Sequence, residues 1–400
     1  MPGTLDPYDV QTNAEIGLRI WKEAEFGKIP ASPVIREQTK VSFDLGLKKD
    51  RIENTRMKRN RRASRSSDGG RRGEGTLTDL LSLRDNDDLI EAAACGEWTV
   101  APSFTGGLTI DADGTLTRAA GSFLTDGFVA GFMVTLSGFD AEEDAGRFFI
   151  ASLDAQDMVL IRDEDEHAEP VSFVAETAST ATVAAIGKIL RDGKIKHSFG
   201  TEEDRETLVT DRCEIGSGVR INTLGISIPA EGAINLNCGL IAQDVTLRDT
   251  PVPGTSHPAP NGVPLTGVNG EIYIDGESCG VVTTIDINFG NSIQGTRTVG
   301  RKTVRTLPNG KFAVTGSIGA LLDSPKFLRA WQDGKTIEIA LRLDTEDGKD
   351  FLLFLLPEVE LVDCSAPTSG DGPATVTAQF VAIENTTADA VIIVQRSNIV

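Results

Sequence analysis

Apolar and polar residues alternate with a period of two along much of this chain, and this pattern constrains the fold most strongly. Successive side chains of a β-strand point to opposite faces, so a strand with one buried face shows this alternation. The longest alternating stretch covers residues 337–344, and shorter ones cover 41–45, 285–289 and 312–315. The chain also holds 41 glycines and several Asn-Gly and Asp-Gly turn pairs. The sequence therefore predicts an all-β protein of the sandwich or barrel type.

Two short helices are predicted to interrupt the strands. The first follows Asn86, has two aspartates in its first turn and ends before Gly96. The second begins with Ser324 as its N-cap and Pro325 as its first helical residue. Serine is a favoured N-cap, and proline is tolerated in the first turn because its missing N–H has no partner there.

The surroundings of the two helices resemble each other and indicate an internal duplication. Residues 75–81 and 316–322 share the pattern G-[ST]-[LI]-x-x-L-L, and both precede a helix. Upstream, residues 43–46 parallel residues 287–290. The sequence predicts a duplicated unit of strand, long loop, strand and helix, with chance similarity between two β-domains as the alternative.

The duplication and local composition predict the domain organisation. Residues 103–185 contain fifteen acidic residues and three arginines, which sets them apart as an inserted acidic β-domain. The first β-domain then consists of residues 1–102 and 186–249. A Pro/Gly-rich linker covers 250–264, and the second β-domain covers 265–400.

Charge is distributed unevenly along the chain. The net charge is −20, yet residues 48–72 carry eleven Lys and Arg against three acids, a local charge of +8. Such a polycation is suited to nucleic acid or to another copy of the same acidic body. Its basic residues are Lys48, Lys49, Arg51, Arg56, Lys58, Arg59, Arg61, Arg62, Arg65, Arg71 and Arg72.

The residues that usually carry catalysis or bind metals are few and widely spaced. The five cysteines include no C-x-x-C pair, which favours free thiols over disulfides or a zinc site. The three histidines have no metal-ligand spacing. Residues 111–114 resemble the start of a calcium loop, but the glycine stands too early for an EF-hand. We therefore expect no catalytic site, cofactor or metal.

Membrane and export signals are not predicted either. No apolar run approaches the ~20 residues of a spanning helix. The N-terminus has neither the basic region nor the apolar region of a signal peptide.

Several segments resemble the two-domain tail tube proteins of long-tailed phages. Residues 21–30 (WKEAEFGKIP) are similar to the family's E-A-x-F-G-x-x-P opening. Residues 218–232 resemble its V-N-x-L-x-L-S-I-x-x-E-G strand and turn. Further similar marks include 198–202 in the first copy and 314–317 and 356–359 in the second. The resemblance covers about three quarters of the chain and leaves out the insert and the linker.

This resemblance implies a structural role as the major tail tube subunit of a phage virion, made and assembled in the cytoplasm of the host bacterium. In the family, barrels line a central channel and long loops reach into the neighbouring ring. The implied partners are other copies of the chain, in trimeric pseudo-six-fold or hexameric rings stacked head to tail. Tape measure and tail-completion proteins are further implied partners, and genomic DNA would pass through the lumen without specific binding.

The charge distribution fits this implied role. Because DNA carries one negative charge per ~1.7 Å of helix axis, an acidic lumen would repel it and let it slide. The polycation 48–72 is therefore expected at contacts between rings, as a loop that is disordered in the monomer.

Two other functions stay open at this point. The chain is alternatively a nucleic-acid-binding protein that uses 48–72. It is otherwise a tail-tip protein that binds or cleaves polysaccharide, although its 22 aromatic residues offer little stacking surface.

Overall fold

The fold of this 400-residue chain is described by a computed structural model. It covers residues 16–56, 65–141, 144–162, 173–205, 212–259, 262–322, 325–366 and 373–397. Strands predominate and two α-helices are present in these ranges, so the predicted all-β class with two short helices is confirmed.

The strands fall into four groups along the chain. The first group is β1 (Gly17–Lys22), β2 (Val34–Gln38), β3 (Ser42–Ile52), β4 (Ser67–Leu80) and β5 (Trp98–Val100). The insert contributes β6 (Ser103–Ile110), β7 (Thr115–Arg118), β8 (Met133–Ser137), β9 (Gly146–Leu153), β10 (Asp157–Arg162) and β11 (Glu176–Ala185). The first half resumes with β12 (Lys188–Arg191), β13 (Phe199–Asp204), β14 (Cys213–Pro229), β15 (Asn235–Ala242), β16 (Asp244–Arg248) and β17 (Thr255–His257). The last group is β18 (Gly270–Ile274), β19 (Glu277–Ser278), β20 (Val282–Gly290), β21 (Ala313–Leu321), β22 (Ile337–Asp344), β23 (Phe351–Ser365), β24 (Thr375–Ala382) and β25 (Ile393–Arg396).

The first helix, α1 (Asp87–Ala94), forms where the sequence predicts it. Its N-cap is Asn86, and Cys95 takes a left-handed conformation (φ 55°) to end it. The N–H of Cys95 bonds to the carbonyl of Glu91, which satisfies one of the last carbonyls of the helix.

The second helix, α2 (Lys326–Asp333), starts one residue later than predicted. Pro325 occupies the N-cap position itself, because its backbone (φ −81°, ψ 19°) precedes the helical residues. Ser324 lies outside the described residues. Gly334 ends the helix at φ 62°, a conformation that glycine adopts without steric cost.

Eight strands form one antiparallel sheet that contains both halves of the chain. Their order across the sheet is β3-β4-β15-β14-β20-β21-β24-β23. The first four strands belong to the first half and the last four to the second half. We call each set of four a repeat, and the β14–β20 pair that connects them the internal joint.

The pairing register shows which positions of the two repeats are equivalent. Gly75 in the first repeat and Gly316 in the second occupy the same position. On one side they pair with Leu240 and Phe380, respectively. On the other side each pairs with an apolar residue of the first strand of its repeat. Those residues are Leu45 and Ile287. The proposed parallel between 43–46 and 287–290 is therefore wrong by two residues. Both repeats also have a register shift at the same place, at Asn222 in β14 and at Val362 in β23.

One side of this sheet packs into the main apolar core. The core unites residues of both halves, from Leu18 to Val394, and α1 and α2 cover it against β14 and β23 respectively. Because the core crosses the predicted boundary at 250–264, the division into two β-domains stays a sequence-based prediction. The segment 250–264 does not run free of the body. Its β17 pairs with β2, and the Gly262 N–H donates to Asp85 Oδ2 (3.0 Å).

Strands β6 to β11 close into a six-stranded barrel with its own apolar core. The ends of this segment lie side by side, because β5 and β12 pair next to it. The barrel core continues into the second half of the chain, where the ring of Phe149 stacks on Tyr273 with centroids 3.9 Å apart. The inserted segment is thus packed against the body as well as closed on itself.

Candidate assembly surfaces

The face of the eight-stranded sheet that points away from the core is polar. Small hydroxyl and amide side chains dominate it, and one row of directly opposed positions crosses the whole sheet. That row is Ser42, Thr78, Asn237, Gly225, Asn288, Thr315, Val381 and Glu360. The acids on this face are Asp44, Glu74, Asp286, Glu360 and Asp363. Threonine and asparagine positions such as Thr76, Asn237 and Asn288 are exposed, so this polar face is open to solvent.

The internal joint has different chemistry on its two sides. On the core side, Leu224 stands opposite Phe289 and Ile226 opposite Ile287, all of them buried. On the polar side, Asp286 accepts hydrogen bonds from Ser227 Oγ (2.6 Å) and Ser317 Oγ (3.0 Å). These cross-strand contacts make the joint continuous with the sheets on either side.

The two outer edges of the sheet have no such partner. Among the residues that the structure describes, no strand pairs with the outer edge of β3 or with the outer edge of β23 at 363–365. An unpaired edge presents a row of free N–H and C=O groups to another chain.

The helix beside the closed joint is buried, whereas the helix beside the open edge is partly exposed. Residues 89–94 of α1 are all buried, because this helix contacts both strands of the internal joint. In α2 only Phe327 is buried, and Trp331 keeps 39% of its surface exposed beside Val362. The Trp331 Nε1–H donates to the carbonyl of Val362 (3.3 Å) on the open edge.

The two ends of the basic segment 48–72 pair as antiparallel strands, and we call this pair the hairpin. Strand β3 extends to Ile52 and β4 begins at Ser67, so the expectation of one disordered loop is wrong at both ends. Lys48 stands opposite Arg72 and Lys49 opposite Arg71, a pairing of like charges that costs stability. Acidic neighbours compensate, since Asp50 pairs with both Arg72 (3.7 Å) and Arg297, and Glu74 pairs with Arg72.

The predicted basic residues divide into three sets. Arg71 and Arg72 are fixed at the root of the hairpin, where Arg71 Nη2 lies 2.5 Å from Asp244 Oδ2 and its N–H donates to Lys302 (2.7 Å). Among the described residues, Lys48, Lys49, Arg51, Arg56 and Arg65 are exposed and form no ion pair. Arg51 donates to the Ser66 hydroxyl. Lys58, Arg59, Arg61 and Arg62 lie outside the described residues.

An acidic groove lies at the end of β4 opposite Ser67. It follows directly after Leu80, and its floor includes the exposed valines Val263 (73%) and Val268 (67%). Four acids and one arginine line it: Asp344, Glu346, Asp347, Asp350 and Arg84. With 14 residues, β4 places the groove roughly 45 Å from Ser67, the far end of the hairpin strand.

A cluster of possible metal ligands was not foreseen from the sequence. Glu202, Asp204 and Cys213 come together where β13 pairs with β14. Their charges are already matched, since Arg19 lies 2.8 Å from Glu202 and Arg212 pairs with Asp204. Burial raises the pKa of the Cys213 thiol to about 12, so this sulfur stays protonated at neutral pH. These contacts indicate a structural polar cluster.

The remaining reactive side chains are dispersed. The five cysteines are free thiols. His197 Nε2 lies 2.7 Å from the carbonyl of Gly96, His257 is exposed on β17, and His167 lies outside the described residues. In the described ranges, no helix has the length and apolarity needed to cross a membrane.

Comparison with known proteins agrees with the fold. No curated protein is significantly similar to the chain. The sequence does match the model of a family described as phage tail tube protein, over residues 13–383 and thus nearly the whole chain. The match includes the eight-stranded sheet, the hairpin, the inserted barrel and both helices. The chain belongs to the phage tail tube protein family and is a structural protein of phage tails.

Proposed function

We propose that this chain is the major tail tube subunit and that its copies close into rings, which stack into a channel for DNA. The observation that carries the proposal is the internal joint. The chain already joins one four-stranded repeat to the next edge to edge, and it leaves the two equivalent edges of β3 and β23 open. Repeating this join between copies generates a closed ring by a heterologous contact.

Three copies per ring fit the duplication best. Three chains supply six repeats and 24 strands. With strands ~4.8 Å apart, 24 of them give a backbone-to-backbone bore of at least roughly 37 Å. Six chains would give roughly 73 Å by the same spacing. Hexameric rings are the alternative, and the mass of isolated rings separates the two.

The polar face is the proposed wall of the channel. Five acids lie on it and two basic residues, Lys48 and Arg72, lie near one end, with threonine and asparagine side chains between them. A negative, hydroxyl-rich wall repels the phosphate backbone and leaves DNA free to move. Tape measure and tail-completion proteins would occupy or close the same channel during assembly.

Stacking is proposed to join the two ends of β4. The basic hairpin at one end of the subunit would enter the acidic groove at the other end of a subunit in the next ring. Lys49, Arg51, Arg56 and Arg65 have no ion-pair partner among the described residues. Of the four acids in the groove, Asp344, Asp347 and Asp350 already pair with Arg342, Lys349 and Arg84, and Glu346 forms no ion pair within the described part of the chain. Opposite charges steer such an encounter and fix its direction.

Electron microscopy of the purified protein tests this function. Wild-type protein should form long hollow tubes, and high salt should shorten them because screening weakens contacts between exposed charges. Replacing Arg59, Arg61 and Arg62 with glutamate should leave a folded subunit that no longer forms tubes. Replacing the same three residues with lysine is the matched control and should retain tubes.

A nucleic-acid-binding role is the second candidate, because the same exposed basic residues can contact phosphate. Retention of the triple glutamate variant on duplex DNA separates the two. If this variant forms normal tubes and loses DNA binding, the hairpin is a nucleic-acid arm and its proposed stacking role is wrong.

A further inference from the structure

The internal joint provides a residue-by-residue template for a contact between copies. Within it, Thr223 of β14 stands opposite Gly290 of β20, and Gly225 stands opposite Asn288. Both pairs lie on the polar face, and the intervening pair of Leu224 and Phe289 points into the core.

The joint residues nearest Thr223 have equivalents at the open edges. In β23, Asp363 is the equivalent of Thr223, because Asp363 pairs with Gln379 as Thr223 pairs with Gly239. In β3, Lys48 is the equivalent of Gly290, because Lys48 pairs with Arg72 as Gly290 pairs with Ala313. The same reasoning makes Gly46 the equivalent of Asn288, and Ser365 the equivalent of Gly225.

The two edges have complementary charge at these positions. Lys48 and Asp363 are both exposed, and neither has an ion-pair partner among the described residues. At the internal joint the same two positions carry neutral Thr223 and Gly290. At these two positions the open edges thus carry an opposite-charge pair, Lys48 on β3 and Asp363 on β23, where the closed joint is neutral.

We propose that a second copy of this chain docks on β23 in the register of the internal joint, with its Lys48 directly opposite Asp363. This inference rests on the proposed ring. It assigns Lys48 to closure within a ring, whereas the remaining unpaired basic residues of the hairpin serve stacking. Antiparallel pairing then places Ser365 opposite Gly46 of the next copy, so the polar wall continues without interruption.

Cysteine cross-linking tests the register in assembled protein. Directly opposed residues of antiparallel strands have Cα atoms ~4.5–5.5 Å apart, which a disulfide can span. The Lys48→Cys, Asp363→Cys double variant should therefore form covalent oligomers up to the closed ring under mild oxidation. The control pairs Asp363→Cys with Ser42→Cys, six residues along the same strand and roughly 20 Å away, and should stay monomeric on a denaturing gel.

Micrographs of the same samples test the proposed register separately from the proposed tube function. If the Lys48→Cys, Asp363→Cys variant forms tubes but no cross-link, the proposed register is wrong. The same holds if the Ser42→Cys control cross-links equally well. Neither outcome contradicts the tube function. Wild-type protein that forms no tubes under any condition overturns the function itself.

Charge reversal provides a second test that does not depend on the cysteine variants assembling. Lys48→Asp and Asp363→Lys should each raise the critical concentration for assembly by about fivefold, since like charges then face each other. The double reversal should return it to within about twofold of wild type. If the double variant is as impaired as the sum of both single variants, the two side chains do not meet.

Discussion

The last strand of each repeat, β14 in the first and β23 in the second, has the same outer edge in two different environments. Between β14 and β20 the edge is closed inside the chain, α1 lies over it, and Ala92 retains 4% of its surface. At β23 the edge is open, and Trp331 occupies the equivalent helical position with 39% exposure. Burial is therefore complete where the edge is closed within the chain and incomplete at the edge where we propose that another copy docks. Equivalent positions are thus buried in the closed joint and partly exposed at the open edge.

The largest expected effect comes from truncating the equivalent side chains Phe289 and Leu47. Truncation of Phe289 should mainly weaken folding, and truncation of Leu47 should mainly weaken assembly. Phe289 is buried in the closed joint, and its replacement by alanine should lower the free energy of unfolding by about 3–5 kcal/mol. Leu47 is half-buried at the open edge, so Leu47→Ala should cost the subunit only about 1 kcal/mol but impair tube formation. Urea denaturation and sedimentation measure the two effects. Phe289→Leu is the matched control, and equal unfolding losses at both positions would contradict the comparison.

A rise in pH should lower the free energy of unfolding of the subunit through Glu338, which lies away from both open edges. Glu338 on β22 lies against Gly131 of the inserted barrel, and its Oε1 is buried without a hydrogen-bond partner in the described part of the chain. Burial, followed by repulsion from Asp275, raises the pKa of this carboxyl to about 7 from the model-compound value of 4.5. The folded state therefore holds the proton more tightly than the unfolded state does. The free energy of unfolding should fall by about 2–3 kcal/mol between pH 4.5 and 7 and change little above that range.

Glu338→Gln tests this assignment. The variant should lose this part of the pH dependence and be more stable than wild type at pH 8, measured by thermal unfolding. A wild-type slope that persists in the variant would place the titrating group elsewhere.

The smallest expected effect is spectroscopic and concerns α2. By equivalence with the carbonyl of Asn222, which accepts the N–H of Asn291 (2.8 Å), the carbonyl of Val362 should accept the Lys49 N–H of the next copy. Trp331 should then be covered, and its emission should shift to shorter wavelength as tubes form. Trp331→Phe should abolish the shift, because Trp21 is already buried and Trp98 is half-buried. A shift that survives in this variant would locate the contact away from α2.

The sequence predicted local structure well, because that structure depends on neighbouring residues. Period-two alternation located β3, β20 and β22, and Asn86 with two aspartates located α1. The matched motifs at Gly75 and Gly316 do occupy equivalent positions. The upstream match failed by two residues, since a shift of two preserves the alternation and a sequence pattern alone cannot detect it.

Features that depend on distant contacts were missed. Charge density suggested that 48–72 is disordered, whereas Lys48 to Ile52 pair with β4, and the acids Asp50 and Glu74 offset part of the positive charge at Arg72. The stacking of Phe149 on Tyr273 joins residues 124 positions apart, beyond the reach of any local pattern. The polar cluster around Glu202 arises in the same way from strand pairing.

The most direct test of the account is a reconstruction of the assembled tube by electron cryomicroscopy, at a resolution that traces individual strands. We expect three copies per ring and a single continuous sheet around the channel. In that sheet, β3 of each copy pairs with β23 of its neighbour, and Lys48 lies opposite Asp363. A tube in which β3 and β23 remain unpaired, or in which the polar face points outward, would contradict it.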